Sequence, residues 1–382
     1  MNTAVCRMLG IDFPLLAFSH CRDVVAAVTN AGGFGVFGAS ALAPEVLDRE
    51  LSWIDGHTGG KPYGVDVLVP GKVVGAGMSR VEIAALVPEE QRTFVISLLA
   101  DRGVVAPGAA SDAVRVGSAV AALGSASRNE DLLEVAFAHP IRLIANALGP
   151  PPPSMLERAR AAGVPVAALV GTRKHAERQV AAGVDILVAQ GGEAGGHCGE
   201  VSTIVLVPEV VDAAAALAGG GPPVPVLAAG GIVDGRQMAA ALALGASGVW
   251  TGSVWLTTEE AETPPATKAK MLAAGSDDTV RSTSRTGKPS RQLRSAWTDA
   301  WSAPDAPAAL PMPLQSILAE PALRKVDQIA SSGHAGATEL STYWVGQGVG
   351  MLQSVKPVRR VVAELMEDLA ASIERLGAIT AG

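Results

Sequence analysis

Short apolar runs alternate along the chain with longer, Ala-rich stretches of helical spacing. Each run is too short for a helix and is closed by Gly or Pro, the mark of a buried strand. Eight such runs occur: Pro14 to Phe18, Phe34 to Gly38, Tyr63 to Val69, Ile141 to Leu148, Pro165 to Gly171, Asp185 to Gln190, Val224 to Ala229 and Gly248 to Ser253. Between them, Arg22 to Asn30, Lys174 to Ala182 and Asp234 to Leu244 read as helices stopping near Gly32, Gly183 and Gly245, where glycine suits a left-handed cap. Repeated β/α units of this kind form parallel strands, and eight strands close into a (β/α)8 TIM barrel, an α/β fold. The phrase Ala-Ala-Gly-Val, at 161–164 and 181–184, is one helix-to-strand junction used twice.

Two segments exceed a minimal barrel. Residues 71–139 form a long insertion after strand 3, with a helix expected around Glu89 to Ala100 and a Gly/Ala/Ser-rich stretch from Gly103 to Arg128. Loops of that length in barrels cover the active-site face. The stretch from Thr257 to about Ala337 is rich in Pro, Thr, Ser and Arg, and an amphipathic pattern returns from Leu340 to Ile373. The expected organisation is a barrel over 1–256 carrying the insertion, a smaller and mainly helical cap over 257–337, and a closing helix within 338–382 that packs back on the barrel.

Composition narrows the partners. With 382 residues, 48% of them hydrophobic, and a mean hydropathy of +0.30, the chain can bury a large core. A net charge of -7, a pI near 5.5 and no dominant basic cluster argue against nucleic acid or anionic lipid as partner and favour small molecules. Cys6, Cys21 and Cys198 are too few for a disulfide framework, and no apolar stretch reaches signal-peptide or membrane-spanning form. The expectation is a soluble, cytoplasmic protein with no membrane partner; a homo-oligomer stays open.

The chemistry gathers at three strand ends. Strand seven runs into Gly230-Gly231, and strand eight into Thr251-Gly252-Ser253. In a barrel these loops are neighbours, so bare amides and the Ser253 or Thr251 hydroxyl can clamp one phosphate, although each glycine read alone is a turn former. Strand six ends in Gln190-Gly-Gly-Glu-Ala-Gly-Gly-His197-Cys-Gly199, too Gly-rich for a helix. His197 is the histidine on this ligand-facing loop and can act as acid, base or hydrogen-bond donor; His57, His139, His175 and His334 lie in polar or turn contexts that suit a solvated surface. Cys198 reads as a small filler rather than a thiolate, because Glu193 and Glu200 oppose a positive field. Trp250 and Trp255 read as core. The basic run Arg281 to Arg294, with Lys288, reads first as solvated cap surface and second as an attractor for an anionic thioester or a nicotinamide phosphate.

Val188 to Gly199, Val226 to Gly235 and Ala240 to Leu256 together resemble the nitronate monooxygenase family, in whose superfamily the FMN-dependent enoyl-acyl-carrier-protein reductases also fall. Leu9 to Pro14, Asn30 to Gly35, Lys61 to Val65, Thr286 to Pro289 and Gly346 to Gly348 agree with it, so the resemblance covers most of the chain apart from the insertion. It implies an FMN whose phosphate rests on Gly230, Gly231, Gly252 and Ser253, with Gln190, Gly191, Gly195, Gly196 and Asp66 along the cofactor. His197 would stand beside the substrate as the catalytic residue, with Ser19 and His20 forming one wall and no metal required. The implied reaction is oxidation of an alkyl nitronate, or a related carbanion-like substrate, by O2. The alternative is an NAD(P)H-dependent reductase of an enoyl or acyl thioester; a barrel binding a phosphate ligand without redox chemistry stands third. Two departures bear on the site. The family's usual Pro-Met in the first loop is replaced within Ala17 to Cys21, and its usual Asn at the end of strand 3 is Asp66, whose carboxylate, when ionised, accepts hydrogen bonds but donates none.

Overall fold

Alternation of side chains along each strand decides which residues reach the active-site mouth. The computed structural model describes residues 1–39, 42–67, 80–106, 126–146 and 149–380. Its strands are β1 (Leu15–Ser19), β2 (Phe34–Gly38), β3 (Gly64–Val67), β4 (Leu143–Asn146), β5 (Val166–Val170), β6 (Ile186–Gln190), β7 (Gly196–His197), β8 (Val226–Ala229), β9 (Gly248–Thr251), β10 (Thr279–Ser282) and β11 (Ser290–Leu293). All but β7, β10 and β11 form a closed barrel in the order β1-β2-β3-β4-β5-β6-β8-β9, and β1 joins β9 in parallel register at Leu16↔Trp250. The eight expected strands are therefore the eight barrel strands. The ends expected at Val69 and Leu148, and most of Gly103 to Arg128, lie outside the described residues.

On β3, Val65 and Val67 point outward into a core with Leu47, Leu51 and Leu133 of the surrounding helices. The opposite parity, including Leu16, Phe34, Val36, Leu143, Ala167, Val188, Leu227 and Trp250, fills the barrel interior. Each such side chain, fully buried, contributes roughly 1.5–3 kcal/mol. Helix Ala4–Leu9 plugs the amino end with Val5, Cys6 and Leu9, so the interior opens only at the carboxyl ends of the strands. There the inward parity belongs to Phe18, Gly38, Asp66 and Gln190.

Local chemistry fixes the helices around this mouth. Thr172 caps helix Arg173–Ala182 by accepting from the His175 amide, and Gly183 ends it at φ 88°. Asp234 and Gln237 form a reciprocal capping box at the start of helix Gly235–Ala243; such caps are worth about 1 kcal/mol. The C-terminal helix Val358–Thr380 lies against that same helix, and Gly235 makes the approach possible because a Cβ there would overlap the backbone of Leu365 and Leu369.

The insertion and the cap share a core of their own. Helix Glu89–Asp101 contributes Val95, Leu98 and Leu99, which meet Trp297, Ile317, Leu323 and Val326 of the cap. The cap is mainly helical, with Pro265–Leu272, Ala296–Trp301, Leu314–Ala330 and Ala335–Leu340. Its antiparallel hairpin β10–β11 is not announced by any alternating apolar run, because Thr279 to Ser282 and Ser290 to Leu293 are polar-rich strands. Among the described residues, no helix is long and apolar enough to cross a membrane.

Candidate active site

The Gly-rich loop after β6 is held by protein contacts on nearly every side. Gly191 donates its amide to the Ala229 carbonyl at 2.9 Å, and a Cβ on it would overlap Thr203. Gly195 has Val345 and Gly346 backbone 2.8 Å from its Cβ position. These two glycines thus serve close packing of backbone on backbone. Glu193, between them, turns its carboxylate onto Thr203, taking the amide at 2.9 Å and the hydroxyl at 2.8 Å, which caps helix Thr203–Ala216. Arg291 of β11 donates to the Gly192 carbonyl at 2.8 Å. Charge-assisted bonds of this kind contribute about 1.5–3 kcal/mol, so Glu193→Gln is expected to lower unfolding stability by about 1–2 kcal/mol in urea titrations.

The end of that loop becomes β7, and β7 pairs with β11 through Ser290↔His197 and Arg291↔Gly196. The histidine backbone is thereby fixed to the cap hairpin. Its side chain is fixed by the same hairpin: Nε2 lies 2.8 Å from the Thr286 hydroxyl. The ring faces a cavity of about 410 Å³ also lined by Gln190, Cys198, Gly171 and Lys288. His197 is exposed to this cavity, and its pKa is lowered to about 4, first by desolvation and then by Lys288 and Arg285. It is a neutral imidazole at neutral pH. Arg285 is buried, pairs bidentately with Glu320 at 2.6 and 3.2 Å, and lies 4.0 Å over the Trp344 ring. Burial raises the Cys198 pKa, which leaves a thiol and removes the thiolate alternative.

On the other side of the loop a second cavity, of about 330 Å³, is lined by Gly230, Gly231, Gln347 and Gly348. Gly230 and Gly231 have φ of 110° and 73°, in the left-handed region, and their amides donate to no protein group among the described residues. Gly252 begins the 3-10 helix Ser253–Thr257 with no side-chain cap and has no protein atom within 4 Å of its Cβ position. Ser253 accepts the Gly346 amide at 2.8 Å, leaving its own hydroxyl proton to donate. Thr251 is spent inside the protein: it donates to the Leu16 carbonyl at 2.9 Å and receives the Trp255 indole at 3.0 Å. Of the two hydroxyls considered, only that of Ser253 is available for a phosphate.

Between the two cavities lies the barrel mouth. Phe18 and Trp250 stack with centroids 6.3 Å apart, and Phe18 meets His20 edge-on at 5.1 Å. His20 places its Nδ1 2.8 Å from the Gly38 carbonyl, so that nitrogen carries the proton, and burial lowers its pKa. Ser19 accepts the Cys21 amide at 3.1 Å, which shapes the first loop. Asp66 is 3% exposed, its Oδ1 has no partner, and desolvation raises its pKa to about 7. Gln190, Asp66, His20 and the Gly230-Gly231 and Gly252-Ser253 loops thus stand at the carboxyl ends of the barrel strands, with His197 on the loop after β6 and Gly191 and Gly195 packed against neighbouring backbone. Sequence reasoning gave Thr286 no individual role, read Glu193 only as opposing a positive field at Cys198, and read Arg285 and Arg291 only as members of the basic run; the Thr286-Gly-Lys-Pro289 motif was the signal for the hairpin residues.

Comparison with known proteins agrees with the barrel fold. A Mycobacterium tuberculosis protein bearing the name "Putative monooxygenase" is 57% identical over 98% of both chains. From the same organism, a 5-hydroxy-7a-methyl-1-oxo-octahydro-1H-indene-4-carboxyl-CoA dehydrogenase is 36% identical over 77% of this chain and 66% of its own. The crystal structure of a nitroalkane oxidase from Streptomyces ansochromogenes superposes with a TM-score of 0.77 at 26% identity, covering 98% of this chain and all of the other. The family model for nitronate monooxygenase matches residues 14–368, from the first barrel strand into the closing helix. With the barrel, the Gly-rich His197 loop and the paired glycine loops in place, the chain belongs to the nitronate monooxygenase family and is an oxidoreductase.

Proposed function

We propose that the protein binds FMN and oxidises a small, resonance-stabilised carbanion of the alkyl nitronate type, with O2 as the final electron acceptor. The observation that carries this reading is His197, which lines the cavity together with Lys288 and has its Nε2 2.8 Å from the Thr286 hydroxyl. A base whose conjugate acid has a pKa of about 4 takes a carbon-bound proton poorly at neutral pH. The same imidazole can orient an anion that arrives already deprotonated, and Lys288 on the cavity wall favours its charge. A preformed nitronate therefore suits the site better than a neutral nitroalkane.

The residues at the mouth fit the flavin. Free amides at Gly230 and Gly231, the open Cβ position of Gly252 and the Ser253 hydroxyl suit its phosphate. Gln190 faces the barrel axis with no protein partner among the described residues, and Asp66 offers a buried carboxyl with an orphaned oxygen. When bound, FMN supplies the two-electron acceptor that O2 reoxidises. Gly252→Leu is expected to leave the fold intact, since nothing surrounds the Cβ position, and to weaken FMN binding at least about tenfold in a fluorescence titration.

A purified protein that is yellow and bleaches anaerobically with ethyl nitronate supports the proposal. Bleaching by NADH but not by nitronate would replace it with the thioester-reductase reading, which the CoA-dependent relative at 36% identity favours. A colourless preparation that cannot be reconstituted with FMN would remove both.

A further inference from the structure

Along β1, Leu15 and Ala17 point outward to the helices, whereas Leu16 and Phe18 point into the barrel. His20, two residues beyond Phe18 and just past the end of the strand, continues the inward series. Its ring lies on the inward face of β2. A Cβ on Gly38 would stand 2.6 Å from His20 Nδ1 and 2.9 Å from the Phe18 ring, so the imidazole fills the place of the side chain that Gly38 lacks. Two contacts hold it in that seat: Nδ1 is 2.8 Å from the Gly38 carbonyl, and Phe18 meets the ring edge-on at 5.1 Å. A carbonyl only accepts, so Nδ1 carries the proton, and desolvation by the surrounding protein lowers the pKa and keeps the ring neutral. Nε2 is then a bare lone pair. It has no partner among the described residues, and the side chain is exposed at the mouth. The other imidazole, that of His197, has its Nε2 engaged by Thr286.

We infer that His20 is a specificity-determining residue whose Nε2 accepts a hydrogen bond from an O–H of the substrate, so that the preferred carbanion carries a hydroxyl group. A substrate that fills the mouth expels the water on which Nε2 otherwise relies, and an acceptor left dry and unpaired opposes binding. An alkyl group at that point leaves the lone pair bare. A hydroxyl replaces the lost water, with its donor held to one direction because the Gly38 carbonyl fixes both the tautomer and the tilt of the ring. A site built to bond a substrate hydroxyl rejects the analogue lacking it more strongly than an apolar pocket rejects an added one. The inference rests on the nitronate reading of this mouth and narrows it to hydroxylated nitronates.

Steady-state kinetics on the preformed nitronates of 3-nitropropan-1-ol and 1-nitrobutane, which differ in a terminal O–H against a methyl group, test the inference. In the native protein kcat/KM is expected to favour the hydroxylated nitronate by about tenfold or more. In His20→Phe, which keeps a flat ring but has no acceptor, the ratio should fall to about one. Gly38→Ala, whose methyl group displaces the imidazole from its seat, should lower the same ratio. Equal kcat/KM for the two nitronates in the native protein, or a preference that His20→Phe leaves intact, overturns the inference. So does loss of flavin from His20→Phe, which would direct Nε2 at the cofactor. If neither nitronate bleaches the flavin, the nitronate reading fails, and NMR of the protein labelled with heavy nitrogen in its imidazoles decides the role of His20 separately. A shift of the Nε2 resonance on adding 3-nitropropan-1-ol but not 1-nitrobutane upholds the acceptor, and the same response to both overturns it.

Discussion

The His197→Asn variant is expected to turn over about 10²–10³-fold more slowly than the native protein while retaining its full complement of FMN. Gly230 and Gly231, proposed to hold the phosphate, line a different cavity from the imidazole, so cofactor retention and turnover are expected to separate. The loss belongs in kcat more than in KM, because orientation of the anion matters most as its charge is withdrawn. With a folded-state pKa of about 4, the imidazole stays neutral across the physiological range. Steady-state kinetics on preformed ethyl nitronate should accordingly give kcat/KM without an inflection at the ordinary histidine pKa of about 6.5. A variant as fast as the native protein would remove His197 from the mechanism.

Asp66→Asn is expected to raise the melting temperature of the apoprotein by about 5 °C at about pH 8 and to leave it unchanged at about pH 4. The carboxyl, raised by burial to about 7 from 3.8, contributes its stability fully only below the lower value. That contribution is lost as pH rises through the folded pKa, when an unpartnered carboxylate must ionise inside the barrel. The gap corresponds to on the order of 4 kcal/mol, which the neutral amide avoids at every pH. FMN affinity carries the companion signature. In the native chain it should fall above about pH 7 as Asp66 loses its donor proton, and in the variant it should stay flat. Identical thermal shifts at both pH values would show that Asp66 is not the group responsible.

The barrel was legible because a short buried strand has few ways to be written. Each apolar run lies on a barrel strand, and Gly183 and Gly245 adopt the left-handed conformations their positions demand. The glycine loops at the ends of β8 and β9 were legible for the same reason, since bare amides on adjacent strand ends are a local property of sequence. The His197 loop was only half readable. Its glycines suggested a ligand against the backbone, yet Gly191 and Gly195 answer to Thr203, Val345 and Gly346, which are distant in the chain. The hairpin was invisible because polar strands are stabilised by their partners rather than by their own periodicity. Nor could composition tell whether Arg281 to Arg294 was solvated surface: Arg285 is buried against Glu320, while Lys288 faces the cavity.

The ladder between β7 and β11 divides inheritance within this molecule. The barrel supplies the glycine loops and the floor of Phe18 and Trp250, whereas the cap hairpin supplies Thr286, Arg285 and Lys288 and sets the register of His197. A lengthened turn between β10 and β11, or an exchanged cationic side chain on it, would re-aim the histidine and recast the charge before it without disturbing a single barrel strand. One barrel can in this way serve unlike substrates, with novelty confined to the cap hairpin.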